Sequence, residues 1–156
     1  MKVDTTKRSV TVRNLIILQF LLGLGAAISG GLLILGPDGH LMQMPLLMLR
    51  TTPFSTFLLP GILLFFFVGI YPLAVAYCLF ARPSWSWPNL VNPIKQMYWA
   101  WAASLAAGVA VITWISVQML MFGSVNVLHL LYLGWGVAII LLTLSPNARQ
   151  SYLQKI

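Results

Sequence analysis

The sequence predicts an all-α fold, a polytopic membrane protein built as a four-transmembrane-helix bundle, and three observations predict it. Of the 156 residues, 60% are hydrophobic and only 7% charged, against about 25% charged in soluble domains. Residues 15–36, 57–80, 97–121 and 125–144 each reach the roughly 20 apolar residues that a helix rising about 1.5 Å per residue needs to cross hydrocarbon. None of the four contains Asp, Glu, Lys or Arg. Backbone amides find no water inside lipid, so segments of this length read as helices and not as the alternating strands of a membrane barrel. The whole chain, 1–156, is one membrane domain, with the bilayer supplying burial that so short a chain would otherwise need from its own core.

The N-terminal tail carries Lys2, Lys7, Arg8 and Arg13 ahead of the first span. A basic region, an apolar run and the small residues Gly25, Ala26 and Ala27 also describe a cleaved signal peptide. The span of about 22 residues exceeds the usual 7–15-residue core of such a peptide, and a retained signal-anchor helix is the reading adopted. Its Gly25/Ser29, Ala26/Gly30 and Ala27/Gly31 pairs put small residues four apart, a pattern that lets backbones approach closely. The third span repeats the device at Ala103/Ala107 and Ala106/Ala110. Packing within the bundle is the plainer use of these faces, and a homo-oligomer through Gly25, Ser29, Ala26, Gly30, Ala103 and Ala107 is the sharper one.

The loop at 37–56 opens with a Pro37-Asp38-Gly39 turn signal. It continues apolar through Met42, Met44, Pro45 and Met48 to Arg50, as expected of a short helix in the external interface or a lid tucked over the bundle mouth. The second span holds Pro60 near its start and Pro72 well inside. An interior proline removes a hydrogen bond and crowds the carbonyl four residues earlier. Pro72 is therefore expected to kink the helix and free the Val68 carbonyl, with Gly69 and Tyr71 beside it as a hinge or ligand notch. Cys78 is the only cysteine, which excludes an intramolecular disulfide and any thiol relay. It reads as a buried or lipid-facing small residue, with juxtamembrane palmitoylation as the alternative.

The loop at 81–96 and the start of the third span gather Trp85, Trp87, Tyr98, Trp99 and Trp101. Such rings prefer the headgroup layer, so these read as interfacial anchors, with Arg82 and Lys95 near anionic lipid. The third span ends near Gln118. The fourth carries Asn126 and His129, three apart and so on one helix face. The tail, 145–156, adds Arg149 and Lys155.

Basic residues in short loops stay on the cytoplasmic side. Eight of the nine fall in the two tails and the 81–96 loop, and only Arg50 falls opposite. Both termini are thus expected in the cytoplasm, and the net charge of +7 reads as an orientation signal and an attraction to the anionic leaflet, not as a nucleic-acid surface.

Polar groups collect toward the external side: Asp38, His40, Gln118, Asn126 and His129. Imidazole and carboxylate can serve as ligands or as an acid–base pair. Two histidines and one aspartate give no recognised metal spacing, and no cofactor motif is present. His129 offers one axial ligand for haem, without a second deep in a facing helix.

The run Gly30-Gly31, Pro37-Asp38-Gly39, Met44-Pro45, Thr52-Pro53-Phe54, Pro60-Gly61 and Gly69 resembles a recurrent pattern in uncharacterised small bacterial four-helix integral membrane proteins. The resemblance covers about a third of the chain. It implies four helices and a bacterial inner membrane, and brings no activity or catalytic residues. Many relatives of that pattern carry an acidic residue near the Ser55-Thr56 position, where this chain has none.

The absence of intramembrane carboxylates excludes proton-coupled small multidrug transport, leaving an uncoupled transporter or channel component as a third reading. A membrane enzyme using Asp38, His40 and His129 on a lipid-like substrate is the second. It lacks a nucleophile with a matched base and a phosphate-binding loop. The reading adopted is an accessory or interaction protein, or a bundle that binds a lipid or small molecule beneath the 37–56 loop.

Overall fold

A computed structural model describes residues 9–154. Lys2, Asp4, Lys7, Arg8 and Lys155, which enter the charge argument, lie outside the described residues. The fold is an all-α bundle of four long apolar helices, α1 (Val10–Leu35), α2 (Leu58–Ala81), α3 (Trp99–Phe122) and α4 (Val127–Leu144), each long and apolar enough to cross a membrane. A short α5 (Pro146–Tyr152) follows, and the described residues form no strand.

Caps decide where these helices start. α1 begins at Val10, within the basic tail, because the Ser9 side chain accepts a hydrogen bond from the Val12 N–H at 3.3 Å. Such a cap satisfies one of the four orphan donors of a helix start. With 26 residues, α1 is about 39 Å long at about 1.5 Å per residue, longer than a hydrocarbon core. α4 begins at Val127 on a reciprocal cap. The Asn126 side chain accepts from the His129 N–H at 3.0 Å, and His129 Nδ1 accepts from the Asn126 N–H at 3.3 Å.

The effect of Pro72 lies upstream of the proline itself. Residues Leu64–Ile70 form a π-helical stretch, and the Tyr71 N–H reaches back five residues to the Phe66 carbonyl. The missing Pro72 N–H is absorbed by widening the preceding turns, a usual role of a π segment within an α-helix.

The main helix contacts run α1–α2, α2–α3, α3–α4 and α4–α1, so the four helices form a ring. Two of these contacts are made backbone to backbone. A Cβ added at Gly30 would stand 2.6 Å from the Phe65 N and 2.9 Å from the Gly61 O, and one at Gly69 would stand 2.8 Å from the Ala27 N. Between α3 and α4, a Cβ on Gly108 would lie 3.0 Å from the Gly136 O. Small residues thus bring the α1/α2 and α3/α4 pairs together, the association that lipid favours.

At the end where the described chain begins and ends, the ring is filled by Leu15, Leu79, Ala100 and Ala148, all essentially fully buried. α5 folds beneath it: the Tyr152 hydroxyl donates to the Leu79 carbonyl at 2.9 Å, and the Tyr98 N–H donates to the Tyr152 carbonyl at 2.8 Å. The Arg82 guanidinium lies 4.6 Å from the Tyr152 ring centre. One turn further into the bundle is a buried polar chain. Gln19 Nε2 donates to Ser104 Oγ at 2.8 Å, Ser104 Oγ pairs with Thr143 Oγ1 at 2.8 Å, and Thr143 Oγ1 donates to the Ile139 carbonyl at 2.7 Å. It ties α1, α3 and α4 in a setting where water is excluded.

At the opposite end the 37–56 loop folds over the bundle in two short 3-10 turns, His40–Met42 and Leu46–Leu49. Leu49 and Phe57 are buried against Leu33, with Met42, Met44, Phe54 and Phe122 around them. Gly39 makes the fold-over feasible, since its φ of 84° suits glycine and a Cβ there would stand 2.2 Å from the Met44 O. The Thr51 hydroxyl donates to the Met121 carbonyl at 2.6 Å, tying the loop to the end of α3.

Candidate functional site

The loop end of the ring holds a cavity of about 210 Å³ lined by all four long helices. It arises because the close contacts lie within the α1/α2 and α3/α4 pairs, while the face of α1 that looks across the ring is again made of small residues. Gly25, Ala26 and Ser29 line the cavity, and a Cβ built on Gly25 meets nothing within 4 Å among the described residues beyond its own turns of helix. The small-residue face of α1 is thus divided in two: Ala27 and Gly30 meet α2, and Gly25, Ala26 and Ser29 border empty space.

The opposite wall is polar. Gln118 from α3 and Asn126, His129 and Tyr132 at the start of α4 all line the cavity. The cap fixes the imidazole. Nδ1 accepts from the Asn126 N–H, so the ring proton sits on Nε2 and the ring has a donor to spare. Leu64 and Val68 of the π-helical stretch supply the α2 wall, so the segment that accommodates Pro72 also shapes the cavity. A second, apolar chamber of about 100 Å³ lies beneath the loop among Met44, Leu49, Phe57 and Met121. The two share Leu64, Trp114 and Gln118 as lining residues.

Of the five polar residues singled out in the sequence, the structure brings Gln118, Asn126 and His129 together and leaves Asp38 and His40 elsewhere. His40 Nδ1 contacts the Asp38 carboxylate directly, and the His40 N–H donates to the same oxygen at 3.3 Å. These bonds hold the Asp38 carboxyl below its ordinary value of 3.8. Both side chains are exposed, and neither lines the cavity with His129. Among the described residues no three His, Cys, Asp or Glu side chains gather as a metal site would require.

The hinge residues are distributed in the same way. Val68 lines the cavity, Gly69 is packed against the Ala27 backbone, and the Tyr71 hydroxyl donates to the Ala103 carbonyl at 2.9 Å. Pro72 is buried. Cys78 is buried too, which withholds its thiol from acylation.

In the aromatic group, Trp85 and Trp87 are exposed, and Trp85 stacks on Trp99 at 6.3 Å. The Tyr98 hydroxyl donates to the Pro83 carbonyl at 2.9 Å, and burial pushes its pKa up to about 12. Trp101 departs from the interfacial expectation. It is buried inside the bundle, its Nε1–H donating to the Thr143 carbonyl at 2.7 Å.

Three residues that matter here escaped the sequence reading. Tyr132 lies three residues after His129, and Trp114 four before Gln118, so helical spacing from residues already identified points to both. Gln19, the only amide in the first span, anchors the buried polar chain, and its Oε1 has no hydrogen-bond partner among the described residues.

Comparison with family models, with curated proteins and with solved structures finds no match.

Proposed function

We propose that this chain is a small, non-catalytic multi-pass protein of the bacterial cytoplasmic membrane that binds a lipid-like small molecule in its loop-end cavity, with both termini in the cytoplasm. The observation that carries the reading is the cavity itself: all four helices line it, and Gln118, Asn126, His129 and Tyr132 converge on one wall of a site that is otherwise apolar but for Ser29. Ligand pockets have this character, a mostly apolar concavity with a few placed polar groups. With the adjoining chamber it approaches the lower end of the roughly 300–1,000 Å³ usual for such pockets. Orientation is supported by Arg13, Arg82, Lys95 and Arg149 at the termini end against Arg50 at the loop end. Separation of Asp38 and His40 from His129 favours binding over acid–base chemistry.

Association with a second copy or with another membrane protein is compatible with this role. The surface that remains for it is the exposed apolar exterior, since Gly30 and Gly69 are used within the chain. The reading is tested by extracting the full chain in mild detergent and analysing what co-purifies by native mass spectrometry. A small molecule retained one per chain, and depleted by Ser29→Phe, supports it. Protein that carries nothing, and whose thermal stability Ser29→Phe leaves unchanged or raises, contradicts it, because the cavity is then a packing void.

A further inference from the structure

Resting on the reading that the loop-end cavity binds a ligand, we propose that this ligand is an uncharged amphiphile with a hydroxyl- or carbonyl-bearing head, and that it enters sideways from the bilayer between α1 and α4 at Gly25. The head's neutrality follows from the lining. No Asp, Glu, Lys or Arg borders the cavity, so a charged head moved into it would lose its hydration and find no counter-charge. What the walls offer is neutral hydrogen bonding. Ser29, Gln118, Tyr132 and His129 all line the space, and among the described residues the Ser29 and Tyr132 hydroxyls, the Gln118 amide and His129 Nε2 have no hydrogen-bond partner. Polar groups at membrane depth gain from a partner that lipid tails cannot supply.

The route is set by exposure. Leu22, Val68, Ile115 and His129 are the buried depth of the site, whereas Gly25, Leu128, Tyr132 and, at the start of α4, Asn126 are exposed. Gly25 on α1 with Leu128 and Tyr132 on α4 frame a mouth on the α1/α4 seam. Toward the termini end the seam is closed by the Trp135 Nε1–H, which donates to the Leu18 carbonyl at 3.2 Å. At Gly25 a side chain would project into open space, so glycine leaves the mouth wide. A cavity of about 210 Å³ takes a head and its first methylenes, and the rest of an apolar chain remains in the bilayer that the mouth faces.

The test uses full-length protein, stripped of lipid in detergent, titrated separately with dioleoylglycerol, a long-chain quinone and dioleoylphosphatidylglycerol, with one-per-chain binding read by native mass spectrometry. The first two probes separate a hydroxyl head from a carbonyl head, and the third carries a charge. At least one neutral probe is expected to bind about tenfold tighter than phosphatidylglycerol. Gly25→Leu is expected to weaken that binding about tenfold and Gln118→Leu roughly three- to tenfold, as for loss of one neutral hydrogen bond. Gly134→Leu, at a glycine equally free of neighbours but away from the cavity, should bind as the wild type does. Phosphatidylglycerol binding as tightly as the neutral probes, while remaining sensitive to Gly25→Leu, overturns the neutral head and leaves the binding site standing. Neutral binding untouched by Gly25→Leu overturns the sideways route. Failure of the wild type to bind any of the three overturns the binding reading together with this inference.

Discussion

Replacing Gly30 by alanine should loosen the α1/α2 contact, and its cost is readable from the structure. The new Cβ would stand 2.6 Å from the Phe65 N, 2.8 Å from the Phe65 Cα and 2.9 Å from the Gly61 O. All three are backbone atoms, which no rotamer change moves. Restoring ordinary contact, which begins at 3.4 Å, means shifting one helix by about 0.8 Å against the closest of them. Overpacking of this kind costs about 1–3 kcal/mol. Alanine also gains about 0.5–1 kcal/mol over glycine in a helix interior, so the proper reference is Gly25→Ala, which has the same gain and meets nothing within 4 Å. The difference between the two variants isolates the packing cost. At about 2–4 °C per kcal/mol for a chain of this size, Gly30→Ala should melt roughly 2–12 °C below Gly25→Ala. Cys78 supplies the assay: it is the only thiol, it is buried, and a thiol-reactive fluorophore reports its exposure as the bundle opens on heating. Equal melting temperatures for the two variants would refute the close α1/α2 approach.

Three further outcomes are expected. Ser104→Ala leaves Gln19 Nε2 without its acceptor and should destabilise by about 1–2 kcal/mol, whereas Gln19→Leu removes the amide with its unpartnered Oε1 and should be near neutral; the same thiol assay measures both. The depressed pKa of Asp38 means that the stability drawn from its contact with His40 is present above pH 3.8 and is lost as pH falls through the lower folded value. An NMR titration of the His40 ring should show that acid transition, and Asp38→Asn should abolish it. Tyr98 shifts the other way: its neutral phenol is favoured in the folded chain, so stability is full below pH 10 and declines as pH rises toward about 12. An ultraviolet titration should show a late phenolate component that Tyr98→Phe removes.

The four helices are legible in the sequence because charges and apolar runs do not mix in this chain, and lipid leaves helices as the spanning option. Their starts are less legible. α1 extends back past Arg13 to its Ser9 cap, and a local side-chain hydrogen bond of that kind leaves no mark on hydropathy. The small-residue face of α1 was visible too, but periodicity shows that a face exists and not what it meets; which half touches α2 and which borders the cavity depends on the ring arrangement. Residue type misled at Trp101, whose preference for the interface is overridden by an orientation that points it at the Thr143 carbonyl. Gln19 carries no charge, and one amide among apolar residues scarcely changes a hydropathy average. The convergence of Gln118, Asn126 and His129 was readable from their common end of the bundle. Asp38 shares that end, and it is the turn through Gly39 that pairs it with His40 instead.

Photo-crosslinking decides whether the loop-end cavity is a binding site. The full-length protein in bilayers would be labelled in turn with a diazirine-bearing diacylglycerol and a diazirine-bearing long-chain quinone, and the labelled residues mapped by peptide mass spectrometry. Labels from at least one probe are expected on the cavity wall, in the windows holding Leu22 to Ser29, Trp114 to Gln118 and Asn126 to Tyr132, and should be lost in Gly25→Leu. Labels confined to the lipid-facing exterior around Ile17, Phe20 and Tyr77, unchanged by Gly25→Leu, would contradict binding in the cavity.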